Sequence, residues 1–258
     1  MKTFRFIGMA LFAILMCVNF TSCSGSDDDP TEEPEEGGVI VNSKKIAKIV
    51  GESEVGESEI YTFKYDYKGR LIEGTEERKN RNNTEDWGCL YTYIWGDDVI
   101  RYTYDTTTAS PHSWTFFIED GLIQRADWDY TFIYNESKRL VRIEDTGENT
   151  NAIWDDNKLV YINHNKGSWE TTATYEKSSK KGYSPFIAAM IGLDGSLFMA
   201  HPEIAGIRTT QLPASTVETD RSTNKYTYTY EFDKDDYISK MIKEGSDGSL
   251  WTYTLTWK

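Results

Sequence analysis

The sequence predicts an all-β domain: an up-and-down antiparallel meander of hairpins, roughly a dozen or more strands, rolled into an open or closed barrel-like sheet. Three observations predict it. Apolar residues recur with period two almost everywhere beyond residue 43, one hairpin unit recurs six times, and a single aliphatic insertion, residues 183–213, breaks the series.

The alternation is carried by rings. Tyr61, Phe63 and Tyr65 alternate with Thr62 and Lys64, and Trp87, Cys89, Tyr91, Tyr93 and Trp95 share one parity. Tyr226, Tyr228, Tyr230 and Phe232 alternate with Thr227, Thr229 and Glu231, and Trp251, Tyr253, Leu255 and Trp257 alternate with three threonines. Successive side chains of a strand point to opposite faces, so each row is the buried face of a half-buried strand. Burying one such side chain stabilises by roughly 1.5–3 kcal/mol, which accounts for a chain that is 14% aromatic without any ligand.

Each row runs into a polar turn that opens onto an apolar doublet: "YDYKGRLI" (65–72), "WGDDVI" (95–100), "IEDGLI" (118–123), "YNESKRLV" (134–141), "WDDNKLV" (154–160) and "FDKDDYI" (232–238). This is a β-hairpin, aromatic on the way in and aliphatic on the way back, with Asp, Asn and Gly supplying the turn chemistry. Parity also assigns Trp128 to the inner row of Tyr130, Phe132 and Tyr134, so "DWD" (127–129) is not read as a sugar-binding cluster. The same count puts Trp87, Trp95, Trp251 and Trp257 inside, and makes Cys89 a packing residue rather than a nucleophile.

One position departs from the pattern. The residue before the last of each incoming strand is Lys64 or Glu231 in the first and last hairpins, but Ile94, Phe117, Ile133 and Ile153 in those between. A two-sided apolar strip of this kind is either covered or used. The insertion is the segment able to cover it. Its stretch Phe186 to Ile191 reads as a short helix opened by Pro185. It is expected to pack on the Ile94, Phe117, Ile133 and Ile153 stripe or to plug an open end of the rolled sheet; otherwise the stripe is a surface for a partner or ligand.

The chain start gives an address. Lys2 and Arg5 precede a thirteen-residue apolar run, Phe6 to Val18, too short to span a bilayer, so residues 1–22 read as a signal peptide. "TSC" (21–23) resembles the cleavage box of bacterial lipoproteins, which implies lipid on Cys23. Residues 23–42 carry seven carboxylates from Asp27 to Glu36 and form a disordered, extended tether. That acidic cluster resembles the surface-export signal of lipoproteins from gram-negative gut anaerobes. Residues 43–258 are then one domain facing outward from the outer membrane. Cys89 alone remains in the mature domain, so no disulfide staples it. The net charge of −14 argues against nucleic acid and against membrane contact other than through the anchor.

"YDYKGRL" resembles the tyrosine-aspartate repeat motif. The whole layout, with "SKKIAKI" (43–49), the hairpins, the "SPF" break (184–186) and "FDKDDYISK" (232–240), resembles a Bacteroidota-type gut-bacterial lipoprotein family, a domain of unknown function with a porin-like β fold. The resemblance spans 43–258 and implies a fold and an outer-membrane address, with no activity attached. The family usually carries Gly where this chain has Asp236, which implies a less tight turn there. A membrane-spanning barrel is disfavoured: its strands need about 9–11 residues with aliphatic middles, whereas these runs read as about five to seven and are aromatic throughout, although "WTYTLTWK" (251–258) is similar to a final outer-membrane strand.

No motif for chemistry stands out. His112, His164 and His201 read as solvated loop histidines with no metal-ligand spacing, and no metal or cofactor is expected. Asp97-Asp98, Asp155-Asp156 and Asp235-Asp236 share one turn position and read as turn formers rather than a glycosidase pair. "DKDDYISKMIKE" (233–244) has Ile238 where a calcium loop needs Gly. "DTT" (105–107) resembles a short O-glycosylation signal. The leading function is a non-enzymatic surface binding or interaction module for a glycan or peptide. An extracellular hydrolase and a structural envelope component are the alternatives.

Overall fold

The computed structural model describes residues 44–80, 87–107, 110–127, 129–164, 169–175, 185–191, 193, 195–207, 209, 211–220 and 222–258. The signal peptide, the tether, Cys23 and Trp128 lie outside the described residues. The alternating rows become β1 (Ile46–Ser53), β2 (Ser58–Tyr65), β3 (Leu71–Lys79), β4 (Trp87–Trp95), β5 (Val99–Thr106) and β6 (His112–Glu119). Next come β7 (Leu122–Ala126), β8 (Tyr130–Tyr134), β9 (Leu140–Asp145), β10 (Glu148–Asp155), β11 (Lys158–His164) and β12 (Trp169–Tyr175). The insertion follows, with α1 (Ile187–Met190), α2 (Ser196–Ala200) and a 3-10 turn (Pro202–Ala205). The series resumes with β13 (Pro213–Thr219), β14 (Thr223–Phe232), β15 (Ile238–Gly245) and β16 (Leu250–Trp257).

Every strand pairs antiparallel with its chain neighbours, and β16 pairs with β1, with Ile49 opposite Leu255, so the sheet is a closed barrel. Lys45 and Lys258 exchange two backbone hydrogen bonds of 2.8 Å across the seam. The six turns read from the sequence lie at one end of this barrel. The closing seam and the insertion occupy that end at the two places where the repeat has no turn, which makes an eight-unit ring of hairpins.

Three of the turns, at Asp66, Asn135 and Asp233, share one bond pattern. The Asp66 carboxylate accepts from the backbone N–H of Lys68 (2.9 Å) and Arg70 (3.0 Å), and Asp233 accepts from Asp235 (2.9 Å) and Tyr237 (3.0 Å). Gly69, Lys138 and Asp236 fill the left-handed position, at φ 76°, 58° and 64°. The turn at Asp236 is therefore as closed as the one at Gly69: Asp233 N–H donates to Tyr237 O at 2.7 Å where Asp66 N–H donates to Arg70 O at 2.9 Å. The looser turn expected from Asp236 does not occur, because Asp tolerates the left-handed region at modest cost.

The aromatic-in, aliphatic-out pattern has a specific bonding reason. At the turn end the ladders between successive hairpins stop early; β3 and β4, for example, last pair at Glu73 and Thr92. Beyond that point a ring near the end of seven of the eight incoming strands, all but β6, bonds a backbone carbonyl of the preceding strand. Trp95, Trp154 and Trp257 donate their ring N–H to Leu71 O, Leu140 O and Ile238 O, each at 2.7 Å. Tyr65, Tyr175 and Tyr230 donate their hydroxyls to Ile46 O, Leu159 O and Pro213 O, each at 2.9 Å, and Tyr134 does so to Ile123 O. The aliphatic members Leu71, Ile123, Leu140 and Leu159 are fully buried. Carbonyls there have no water, so a side-chain donor must satisfy them.

Strands run from five to ten residues, longer than the sequence runs suggested, because threonines and charged residues continue the pairing past the aromatic cores. Length alone does not exclude a bilayer, and the outer face is polar near the turns. It carries the ion pairs Lys64–Glu73 and Glu231–Lys240 and the hydroxyl pairs Thr62–Thr75 and Thr174–Ser215.

Candidate ligand cavity inside the barrel

Sixteen strands enclose more space than their own side chains fill: small barrels pack solid, while barrels of this strand number leave a lumen. The insertion fills the turn-end half of it. Phe198 sits edge-on to Phe116 with ring centres 5.5 Å apart, and Phe186 lies 4.6 Å from Tyr253. Ser196 Oγ and Tyr93 OH are 2.8 Å apart, and a Cβ at Gly74 would overlap Ser196, so the glycine lets α2 lie against β3. Ile187, Ala188, Ile191, Leu197 and Ala205 are at most 2% exposed. The insertion thus takes the second of its two expected placements. It plugs the barrel and does not cover the outer stripe.

His201 locks the plug to the wall. The Leu71 N–H donates to His201 Nε2 at 3.2 Å, which leaves the ring proton on Nδ1 to donate to Glu203 Oε1 at 2.9 Å. Burial pushes the Glu203 carboxyl up, but the His201 hydrogen bond, the group's own backbone N–H and the Lys45 charge act together to hold it below its ordinary value. The reading of the histidines as solvated loop residues is corrected here. His201 is buried at 5%; His164 lies in β11 with Nδ1 2.7 Å from Thr150 Oγ1, burial holding its imidazole below the ordinary value; and His112 is an exposed β6 residue stacked on Tyr104. Proline and asparagine neighbours gave a loop signal, but His112 and His164 lie in strands, and His201 is a buried residue of the plug.

Beyond the plug the lumen is walled by rings that are only half-buried. Tyr104, Tyr102 and Trp114 form a stacked series across β5 and β6, at 6.4 and 6.3 Å. A cavity of about 150 Å³ lies between the plug and the opposite wall. Phe186, Ile187 and Met190 floor it; Trp169, Tyr228 and Tyr253 wall it; Glu218 and Lys243 are its charged residues. The inward parity of Trp95, Trp251 and Trp257 holds, since all three pack against the core cluster, and Cys89 is buried at 5% exposure.

A second interior group is ionic. Glu76, 5% exposed, lies 2.6 Å from Arg78 Nη2 and accepts from Tyr91 OH at 3.3 Å, and Arg78 Nε stands 4.0 Å from Glu59. Burial raises the Glu76 carboxyl above its ordinary value against the pull of Arg78. One guanidinium shared by two carboxylates is an ion-paired wall rather than an acid and nucleophile facing a substrate. The turn acids behave as read from the sequence: Asp97, Asp98, Asp156, Asp235 and Asp236 all lie in turns or bends, with Asp155 ending β10.

The four stripe residues lie on the outer wall. Ile94 and Ile153 are 69% and 52% exposed, and Phe117 and Ile133 are partly buried. Three face arginines across the ladder: Ile94 opposite Arg101, Phe117 opposite Arg125 and Ile133 opposite Arg142. The Arg125 guanidinium lies 3.6 Å over the Phe117 ring. The stripe and the cavity are therefore separate places, one outside and one inside. Glu218 and Lys243 were not singled out from the sequence, although Lys243 shares its parity with the inward Met241.

No family model matches the chain, and no curated protein matches it. Among solved structures the chain is similar to a porin-like protein from Bacteroides uniformis, with a TM-score of 0.62 and 16% identity over 83% of this chain and 98% of that one. A porin-like protein from Bacteroides vulgatus aligns over the same shares with a TM-score of 0.37 and 14% identity. The first likeness shows a shared barrel fold.

Proposed function

We propose that the protein is a non-enzymatic lipoprotein associated with the outer membrane, anchored through Cys23, facing the cell exterior, and binding a glycan or peptide in the open half of its barrel. The observation that carries this reading is the asymmetry of the lumen. Its turn end is filled by the chain's own insertion, while the rest is lined by half-buried rings and by Glu218 and Lys243. Pockets for small ligands are concave, mostly apolar, and carry a few polar groups. A plugged lumen is a container rather than a conduit.

Position of the chain start supports the topology. Lys44 bonds Asp233 at 3.0 Å in the turn between β14 and β15, so the chain enters the barrel at its plugged end. The porin-like fold of the Bacteroides uniformis neighbour supports an outer-membrane setting. The test is a glycan and peptide array probed with residues 43–258, which contain every described strand and the plug, beside a Trp169→Ala, Tyr228→Ala variant. A signal lost in the folded variant supports interior binding; a signal unchanged in it, or none on either array, overturns the reading.

A further inference from the structure

Two charged residues line the cavity with no hydrogen-bond or salt-bridge partner among the described residues, and a buried hydroxyl lies on the strand beside one of them. Thr171 Oγ1 is buried, with its residue 1% exposed, and makes no hydrogen bond. Glu218 lies directly opposite Thr171 across the β12–β13 ladder and lines the cavity. Lys243 lines it from β15, its ammonium held 3.9 Å over the Tyr226 ring. Among the described residues neither Glu218 nor Lys243 has a hydrogen-bond or salt-bridge partner. Elsewhere the interior charges are matched, as in the Glu76–Arg78 pair. A carboxylate and an ammonium left unmatched beside an apolar floor call for a ligand carrying both complementary charges and an apolar body.

The spacing narrows the class. Glu218 stands opposite Asn224 and Lys243 opposite Tyr228, so four residues of β14, roughly 13 Å along the strand, separate their levels. The Lys243 side chain reaches toward Tyr226, which lies between those levels. The opposite charges of one amino acid are too close together to meet both groups. A chain of two or three residues spans at most about 7–11 Å between its ends and fits. Resting on the interior-site reading above, we infer that the cavity takes a short, unblocked peptide with apolar side chains. Its terminal carboxylate pairs with Lys243, its terminal ammonium meets Glu218, and its side chains rest on Phe186, Ile187 and Met190. A peptide satisfies the unpaired charges by its own chemistry, whereas a neutral glycan leaves them unmatched.

The experiment is calorimetric titration of residues 43–258 with trileucine, N-acetyl-trileucine, trileucine amide and maltotriose. Each cap removes one charged contact, so each is expected to weaken binding by about tenfold or more. In Lys243→Met the acid and the amide should bind alike, and in Glu218→Gln the amine and its acetylated form should bind alike. Wild-type discrimination among the caps needs no variant to fold. Indifference to both caps, or caps that still discriminate in the folded variants, overturns the peptide assignment. Maltotriose binding that is lost in Trp169→Ala, with no trileucine binding, overturns it while leaving the interior site standing. Failure of both ligands together with blank arrays removes both readings.

Discussion

Replacing Tyr175 by Phe removes one oxygen and tests the bonding that closes the turn end. The Tyr175 hydroxyl donates to Leu159 O at 2.9 Å, and Leu159 is 0% exposed. Burial drives the phenol well above the ordinary tyrosine range, so it is a donor at any working pH. Without it the Leu159 carbonyl has no water to turn to. Leaving a buried acceptor unsatisfied costs about 1–3 kcal/mol, while the ring and its packing stay in place. For a domain of this size each kcal/mol shifts Tm by about 2–4 °C, so a cost near ~2 kcal/mol lowers Tm by about 4–8 °C. The assay is urea unfolding followed by tryptophan fluorescence, with an unchanged slope marking a pure stability effect. Tyr67, 91% exposed in a turn, gives the control: Tyr67→Phe should stay within about 0.5 kcal/mol of the parent. If Tyr175→Phe is as silent as Tyr67→Phe, the claim that rings satisfy the carbonyls between hairpins is refuted.

Gly206→Ala should destabilise severely, because φ is 66° and a Cβ there would come within 2.7 Å of the Tyr134 ring and 2.8 Å of Lys138 O; a parent-like melting curve would contradict the plug's seating. Lys138→Gly should raise stability by about 0.5–1 kcal/mol in the same assay, since an exposed residue at φ 58° is relieved of its Cβ clash. At alkaline pH the barrel should unfold as its tyrosines ionise. Desolvation raises the phenols, with Tyr228 pushed up to about 12 and Tyr93 and Tyr230 higher, so the fold favours their neutral form. That contribution is complete below the ordinary value of 10.0 and is lost as pH rises through the folded values. Tyrosinate absorbance should therefore rise for these groups together with loss of circular dichroism; smooth titration around pH 10 in an intact barrel would count against it.

Much of the barrel was legible because period two survives any tertiary context. Tyr226, Tyr228 and Tyr230 point inward as their parity requires, and the turns at Asp66, Asn135 and Asp233 close with the side-chain bonds their residue types suggest. Closure was not legible, since pairing of Ile49 with Leu255 joins strands two hundred residues apart and no local pattern encodes it. The stripe misled for a related reason. An apolar residue on an outer face reads as something to cover, but Phe117 is capped by the Arg125 guanidinium one strand away and Ile94 stays in water. The candidate site was the least visible part. Glu218 and Lys243 come from two strands, and the Phe186, Ile187 and Met190 floor comes from an insertion whose placement depends on the width of the lumen.

The most direct measurement concerns the insertion inside the barrel. Nuclear Overhauser spectra of residues 43–258 with labelled phenylalanine and tyrosine should show cross-peaks from Phe198 to Phe116 and from Phe186 to Tyr253, whose ring centres lie 5.5 and 4.6 Å apart. Those contacts, with Phe198 shielded from solvent, are the outcome the account predicts. Mobile, solvent-exposed Phe186 and Phe198 rings in a barrel that remains closed would contradict it.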